Sequence, residues 1–231
     1  MVNEEKRVIG IIQARIDSNR LPAKIMLDLA GQPVLKRVIQ RVKASNYIHD
    51  ICVATSEEKS DDLVEHVCLS WKVTSYRGSK NNVLNRYFHA AEFMNSDVVV
   101  RFTADNPLVD CRLVDECIKH ILTNPDLQYV TTERDEIPYG SFAEVFTFDA
   151  LKEANQKAKT TYEKEHVTPY MADSKNGMKT CYLEPPDFLK RPELRLSIDT
   201  LEDYLRVHRI FRDIVPIDAV EIKIEDIKDV W

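Results

Sequence analysis

A nearly unbroken apolar run, Val8, Ile9, Ile11 and Ile12, stops abruptly and gives way to a polar loop over residues 13–24. Such a run, rich in β-branched residues and cut off by a loop, predicts a strand buried on both faces. Strands of that kind belong to parallel sheets covered by helices. The loop carries three cations, Arg15, Arg20 and Lys24, against one anion, Asp17. Its backbone N–H groups, two forked guanidiniums and one compact ammonium can surround a polyphosphate. Pro22 fixes its own φ and lowers the entropy lost when an anion orders the loop. Charge pattern alone is equally consistent with a solvated turn.

The chain beyond keeps a strand–helix rhythm. Behind Pro33, a favourable first helical residue, Val34, Leu35, Val38, Ile39 and Val42 recur at helical spacing, with Lys36, Arg37, Arg41 and Lys43 read as a solvated outer face. A short extended piece is expected at Leu27 and Leu29. Strands are expected at 51–55, 71–76 and 97–102. Helices follow on Leu63, Val64, Val67 and Cys68, on Val83, Leu84, Tyr87, Phe88 and Ala91, and on Val114, Cys117, Ile118, Ile121 and Leu122, the last capped by Asp110. The alternation predicts βαβ units and an α/β fold with a mostly parallel sheet.

From residue 128 the rhythm changes. Strands are expected at 129–132, 142–148 and 178–183, with a turn at Pro138, Tyr139, Gly140 and Ser141. Asp149 is placed to cap a helix over 151–158. Thr160 and Glu163 have capping-box spacing for a helix running through His166, Val167 and Tyr170. Residues 128–193 are read as a mixed excursion from the main sheet within a single domain spanning 1–231. A strand at 194–198, a long helix from Asp199 and Thr200, a strand at 220–224 and a terminal helical turn complete the reading.

The totals exclude several classes. With 44% apolar and 30% charged residues the chain is globular rather than disordered. A net charge of −6 argues against a nucleic-acid binder. Five scattered cysteines without a C-x-x-C read as reduced thiols of a cytoplasmic protein. The first seven residues are charged, unlike a secretory leader, and no apolar run approaches the roughly 20 residues needed to cross a bilayer. Walker-type and dinucleotide-binding glycine motifs, zinc-type histidine pairs and a nucleophile elbow are all missing.

Two aspartates follow strands. Asp105 lies in T-A-D-N-P-L and Asp199 in S-I-D-T-L-E-D. Ligands of open parallel sheets gather beyond the carboxyl ends of the strands, so the two could meet there and hold Mg²⁺ against nucleotide phosphates. Spacing alone also fits a turn residue and a helix N-cap.

The motif A-R-x-x-S-x-R-L-P-x-K, here Ala14, Arg15, Ser18, Arg20, Leu21, Pro22 and Lys24, resembles the opening of the cytidylyltransferases that make CMP-activated sugar acids. Within them it is similar to the spore coat polysaccharide biosynthesis branch, related to the CMP-3-deoxy-manno-octulosonate and CMP-acylneuraminate synthetases. The segment 77–87 resembles G-S-x-D-D-V-L-D-R-Y, with Asn81, Asn82 and Asn85 where acids are common. Residues 139–146 resemble G-x-x-x-E-V-F, and 165–170 reads E-H-V-T-P-Y. Ala104 stands where the family usually has Gly, and Leu201 where Pro is common.

The resemblance implies a three-layer α/β/α nucleotide-diphospho-sugar transferase-like fold, with the excursion as a homodimer contact and acceptor cover. It implies a Mg²⁺-dependent transfer of CMP from CTP to an anionic sugar acid, with release of pyrophosphate, for surface or spore-coat polysaccharide precursors. Lys24, Arg15 and Asp105 would be catalytic. Nucleotide contacts would come from Gln13, Ala14, Arg15, Ser18, Arg20, Lys24, Thr55, Gly78, Ser79 and Thr103. Acceptor contacts would come from Arg101, Tyr139, Glu144 and His166, and metal ligands from Asp105 and Asp199. A glycosyltransferase usually shows Asp-x-Asp and a sugar-1-phosphate nucleotidyltransferase a glycine-rich opening; neither occurs here. The asparagines leave a catalytically impaired nucleotide-binding protein as the other reading.

Overall fold

The structure, a computed structural model, describes residues 6–214 and 222–227. The apolar run forms β1 (Val8–Gln13), which pairs in parallel with β2 (Asp50–Ser56) on one side and β4 (Val98–Thr103) on the other. Its alternation sends Val8 and Ile12 into one core and Ile9 and Ile11 into a second. That is why the run shows no polar face.

Between β1 and β2 lies α1 (Val34–Val42). Then come α2 (Asp62–Ser70), β3 (Thr74–Gly78), α3 (Val83–Phe93), β4 and α4 (Cys111–Thr123). β3 pairs in parallel with β2. Residues 128–193 supply β5 (Tyr129–Thr132), β6 (Glu144–Thr147), α5 (Phe148–Lys157), α6 (Thr161–His166), α7 (Pro169–Ala172) and β7 (Thr180–Leu183). Their strands continue the same sheet, in the order β3-β2-β1-β4-β6-β5-β7. β6 is antiparallel to β4 and to β5, while β5 and β7 are parallel.

Residues of α1, α2 and α4 pack on one sheet face and residues of α3, α5 and α7 on the other, which gives the three layers. A third cluster gathers Leu29, Leu108, Leu196 and Ile198 under α8 (Leu201–Ile214). No helix among the described residues is long and apolar enough to cross a membrane.

Several expectations shift. Arg37 and Arg41 are not solvated: they are 4% and 8% exposed. Arg37 bonds the Leu29 carbonyl and Arg41 the carbonyls of Val109 and Ile222, so α1 uses its cations to satisfy loop carbonyls. The third strand starts at Thr74 because α2 runs to Ser70 and Lys72 takes a positive φ. Asp149 is not the cap of α5; Thr147, at the end of β6, accepts the Ala150 N–H instead. At Leu27 and Leu29 the pairing is a single bridge, Asp28 to Pro33.

No strand forms at 194–198. Only Arg195 bridges, to Tyr139, because the neighbouring backbone is a loop. Of the strand expected at 220–224, residues 220 and 221 lie outside the described residues, and Ile224–Asp226 is a 3-10 turn. The terminal helical turn also lies outside them.

Thr160 and Glu163 do form a capping box on α6, and Asp110 caps α4. The helix expected through Val167 breaks there instead. Val167 has φ 72° and ψ −55°, and the Thr168 N–H bonds the His166 carbonyl at 2.9 Å. That is a γ-turn of the rare left-handed kind. All five cysteines are free thiols. Burial pushes Cys52, Cys68 and Cys117 up to about 12, so these three are inert packing residues.

Candidate active site

The loop after β1 arches over the carboxyl ends of the sheet. The Ala23 N–H bonds the Ile16 carbonyl, closing it, and the Ile16 N–H bonds the Asp61 carboxylate at 2.7 Å. Asp61 is 1% exposed and also takes the Ser56 N–H and hydroxyl. It therefore fixes the loop backbone to the end of β2.

Two aspartates far apart in the chain meet at one ammonium. Lys24 Nζ lies 2.6 Å from Asp105 Oδ2 and 3.1 Å from Asp199 Oδ1, and donates to the Ile198 carbonyl at 2.8 Å. Arg20 reaches the same Asp199 oxygen at 2.8 Å, and Arg195 reaches Oδ2 at 2.8 Å. Asp199 is not the cap of α8. The Thr200 hydroxyl accepts the Asp203 N–H, and Asp203 in turn accepts the Asp199 and Thr200 N–H groups. Burial would raise the Asp203 pKa, but bonds from Arg206 and Thr200 outweigh it and hold the acid at about 2. Asp199 is left to gather cations.

Two hollows share this junction. The first, about 480 Å³, is lined by Gln13, Ala14, Arg15, Ser18, Arg20, Lys24 and Thr103, and by Asn81, Val83 and Arg86. The second, about 580 Å³, is lined by Arg101, Tyr139, Glu144 and His166, and by Arg134, Phe142 and Thr168. Gln13, Arg20, Thr103, Asp105, His166 and Asp199 border both. Gln13 Oε1 and Asn106 Oδ1, which border the second hollow, are buried acceptors without a partner. Among the described residues neither finds a donor, so each is ready for one from a bound molecule. Gly140, at φ 99°, lets the wall close: a Cβ there would lie 2.8 Å from the Ser197 nitrogen.

Most of the expected residues come together, with three exceptions. Thr55 is fully buried inside β2 and borders neither hollow. Gly78 and Ser79 also stand behind the wall; the Ser79 hydroxyl oxygen accepts the Asn82 N–H and its carbonyl accepts from Arg86. Of the three asparagines only Asn81 borders the first hollow, while Asn82 caps α3 and Asn85 lies near Asn155. Ala104 packs into the first core and also borders the first hollow, so its methyl narrows the space there where a glycine would leave it open.

Glu144 is 2% exposed and fully engaged. Arg101 reaches it at 2.5 Å, Tyr129 and Thr168 at 2.7 Å each, and Arg134 also bonds it. Burial alone would raise its pKa, but the two guanidiniums and two hydroxyls prevail and hold it at about 2. It is a fixed anion that aims two cations into the second hollow rather than a free contact. Arg134 also stacks over Phe142, and Arg195 over Tyr139.

Sequence reading missed Asp61, Arg86, Arg134 and Arg195. Only Arg86 left a signal, as the arginine of the D-R-Y motif that the segment resembles; Arg195 lies in a loop, where its spacing from Asp199 carries no helical meaning. Among the described residues no group of three or more acidic, histidine or cysteine side chains forms a closed metal cage. Mg²⁺ does not require one, because it binds through one or two carboxylates and phosphates. Asp105, still 24% exposed at its side chain with only Oδ2 on Lys24, and Asp199 beside it fit that donor set.

A family model described as Cytidylyltransferase matches residues 9–230. The chain is 42% identical to an uncharacterized protein of Methanocaldococcus jannaschii, over 94% of this chain and 88% of that one. It is 31% identical to the spore coat polysaccharide biosynthesis protein SpsF of Bacillus subtilis, over 89% and 86%. The solved structure of a cytidylyltransferase from Leptospira borgpetersenii superposes with a TM-score of 0.85 at 31% identity, over 93% of this chain and 90% of that one. A CMP:2-keto-3-deoxy-manno-octonic acid synthetase solved with CTP shares the fold, with a TM-score of 0.67 at 16% identity, over 90% and 100%. The match from residue 9 to residue 230 places this chain in the cytidylyltransferase family of nucleotidyltransferases.

Proposed function

We propose that this protein transfers CMP from CTP to an anionic sugar acid and releases pyrophosphate. The observation that carries the reading is the junction. Lys24 ties Asp105 to Asp199 where a basic hollow meets a second hollow holding two buried-acid-anchored arginines. The first hollow suits a nucleoside triphosphate, with Arg15, Arg20 and Lys24 on its phosphates. The second suits a small anion, offered to Arg101 and Arg134 between the tyrosine and phenylalanine walls. His166, held beside Tyr162 with ring centroids 4.5 Å apart, borders both and can orient the acceptor.

The acceptor hydroxyl attacks the α-phosphate in line. Catalysis comes from positioning and from the cations gathered around the developing charge, without a covalent enzyme intermediate. Asp105 and Asp199 are the residues that would hold Mg²⁺, which would neutralise phosphate charge when bound. The CTP complex of the structurally similar CMP:2-keto-3-deoxy-manno-octonic acid synthetase supports CTP as donor. We place the enzyme in the cytoplasm and expect a homodimer through residues 128–193, which sedimentation of the purified protein checks.

Pyrophosphate release from CTP, with a panel of octulosonate, nonulosonate and phosphonate-type acids, tests the function. Release with at least one acid and not with neutral sugars is expected. Tight CTP binding with no release for any acceptor would overturn the transferase reading in favour of a nucleotide-binding protein.

A further inference from the structure

Arg86 is a buried cation without a counter-ion. It is 2% exposed, and among the described residues no carboxylate forms an ion pair with it. Nη1 donates to the Ser79 carbonyl at 2.9 Å, and Nε is buried with no partner. Asp61, the nearby opposite charge, already serves Ile16 and Ser56. A guanidinium taken out of water in this way needs acceptors. The fold makes room for it: a Cβ on Gly78 would lie 3.1 Å from Arg86 Cγ. Arg86 borders the first hollow, so the missing acceptors belong to whatever fills that hollow.

The hollow has two distinguishable ends. Lys24, Asp105 and Asp199 stand where it meets the acceptor hollow, so the reacting phosphate lies there. Asn81, Val83 and Arg86 border only the first hollow. The exposed guanidinium of Arg20, at 65%, suits a hydrated phosphate chain. A desolvated guanidinium beside an apolar Val83 and an amide suits the edge of a flat heterocycle.

We infer that Arg86 is a specificity-determining residue that donates to the acceptor edge of the cytosine ring, O2 and N3, and thereby disfavours uracil. A guanidinium only donates. Cytosine N3 accepts, whereas uracil N3 carries a hydrogen, so uracil would set donor against donor and leave both unsatisfied. This inference rests on the CTP reading above.

The test is binding of CTP and of UTP by calorimetry, with melting curves as the control for folding, on the wild type, Arg86→Gln and Gly78→Ala. The wild type is expected to prefer CTP by about tenfold or more, the size of discrimination a hydrogen-bonding site reaches easily. Arg86→Gln should weaken CTP by about tenfold and UTP by less than about threefold, collapsing the ratio. Gly78→Ala keeps the guanidinium but crowds its stem, and should narrow the ratio in the same direction; it decides the matter if the Gln variant does not fold. Equal losses for both nucleotides would assign Arg86 to phosphate and overturn the inference, as would no loss. Wild type that fails to bind CTP would sink the CTP reading along with it, whereas normal wild-type binding with an unmoved ratio sinks this inference alone.

Discussion

Asp61 and Glu144 are both buried carboxylates, one behind the first hollow and one in the wall of the second, and they do opposite jobs. Among the described residues Asp61 accepts only uncharged donors, the Ile16 N–H and the N–H and hydroxyl of Ser56. It shapes the backbone of the loop that carries Arg15, Arg20 and Lys24. Glu144 binds two guanidiniums and two hydroxyls. It stores charge, half-cancelling Arg101 and Arg134. A flexible, highly charged triphosphate can be met by mobile cations on a fixed loop. A small acceptor requires cations that are already aimed. Asp105, common to both hollows, should behave unlike either.

Asp105→Asn gives the largest expected effect. It removes charge at the junction while keeping size, so kcat should fall by about 10²–10³-fold or more. Melting should barely change, and CTP affinity should move far less than kcat. Full activity in this variant would remove the junction from the chemistry. Glu144→Gln should instead strike stability, because two guanidiniums lose their buried counter-ion; about 3–5 kcal/mol is the usual cost of breaking such a set. Chemical denaturation measures it.

The pH dependence follows from the same group. The folded-state pKa of Glu144, about 2, lies below its ordinary 4.5. Its stabilisation is therefore complete above about pH 4.5 and drains away as pH falls towards 2. The wild type should lose stability through that window more steeply than Glu144→Gln, which has no proton to take up there. Parallel slopes would mean that Glu144 is not the stored anion.

The frame of the first hollow was legible in the residue pattern itself, whereas the second was reached only through the family resemblance, and the two carboxylates show why. Strand–helix alternation reports burial, so β1, β2, β4 and their helices could be read from periodicity, and the loop at 13–24 announced itself by its charges. Arg134 lies in a loop with no periodic pattern, and its role depends on Glu144 ten residues later in another strand. Asp61 looked like an ordinary polar residue before a helix, since nothing local says that Ile16 will be its partner. Arg37 and Arg41 were misread because a charged face looks the same whether it meets water or loop carbonyls. The turn at Val167 defeats propensity altogether: a β-branched residue with positive φ is held there by its fully buried side chain and by the neighbouring Thr168–Glu144 bond.

Asp61→Asn should sharpen the contrast at lower amplitude. The amide keeps one acceptor but turns an N–H₂ toward Ser56 or Ile16, loosening the loop. KM for CTP should rise roughly 5–10-fold, the worth of about one hydrogen bond, with kcat at saturating CTP and the acceptor KM little changed. Steady-state kinetics with each substrate varied in turn will tell. A matching rise in acceptor KM would show that the two halves are not separately held.

The smallest effect concerns the asparagines that stand where the family has acids. Asn82 accepts the Asn85 N–H at 3.0 Å as the N-cap of α3 and does not border the first hollow. Asp caps a helix as well as Asn does and adds a favourable charge at the positive end of the helix dipole. Asn82→Asp should thus change stability by no more than about 0.5 kcal/mol and KM for CTP by less than about twofold. Asn81 does border the first hollow, so Asn81→Asp should weaken CTP by setting a carboxylate against the acceptor edge of the base and adding a like charge to the field of the triphosphate, and more so at low salt. If the two substitutions act alike on KM, the division between wall and cap is wrong, and the missing acids of this segment matter as a set.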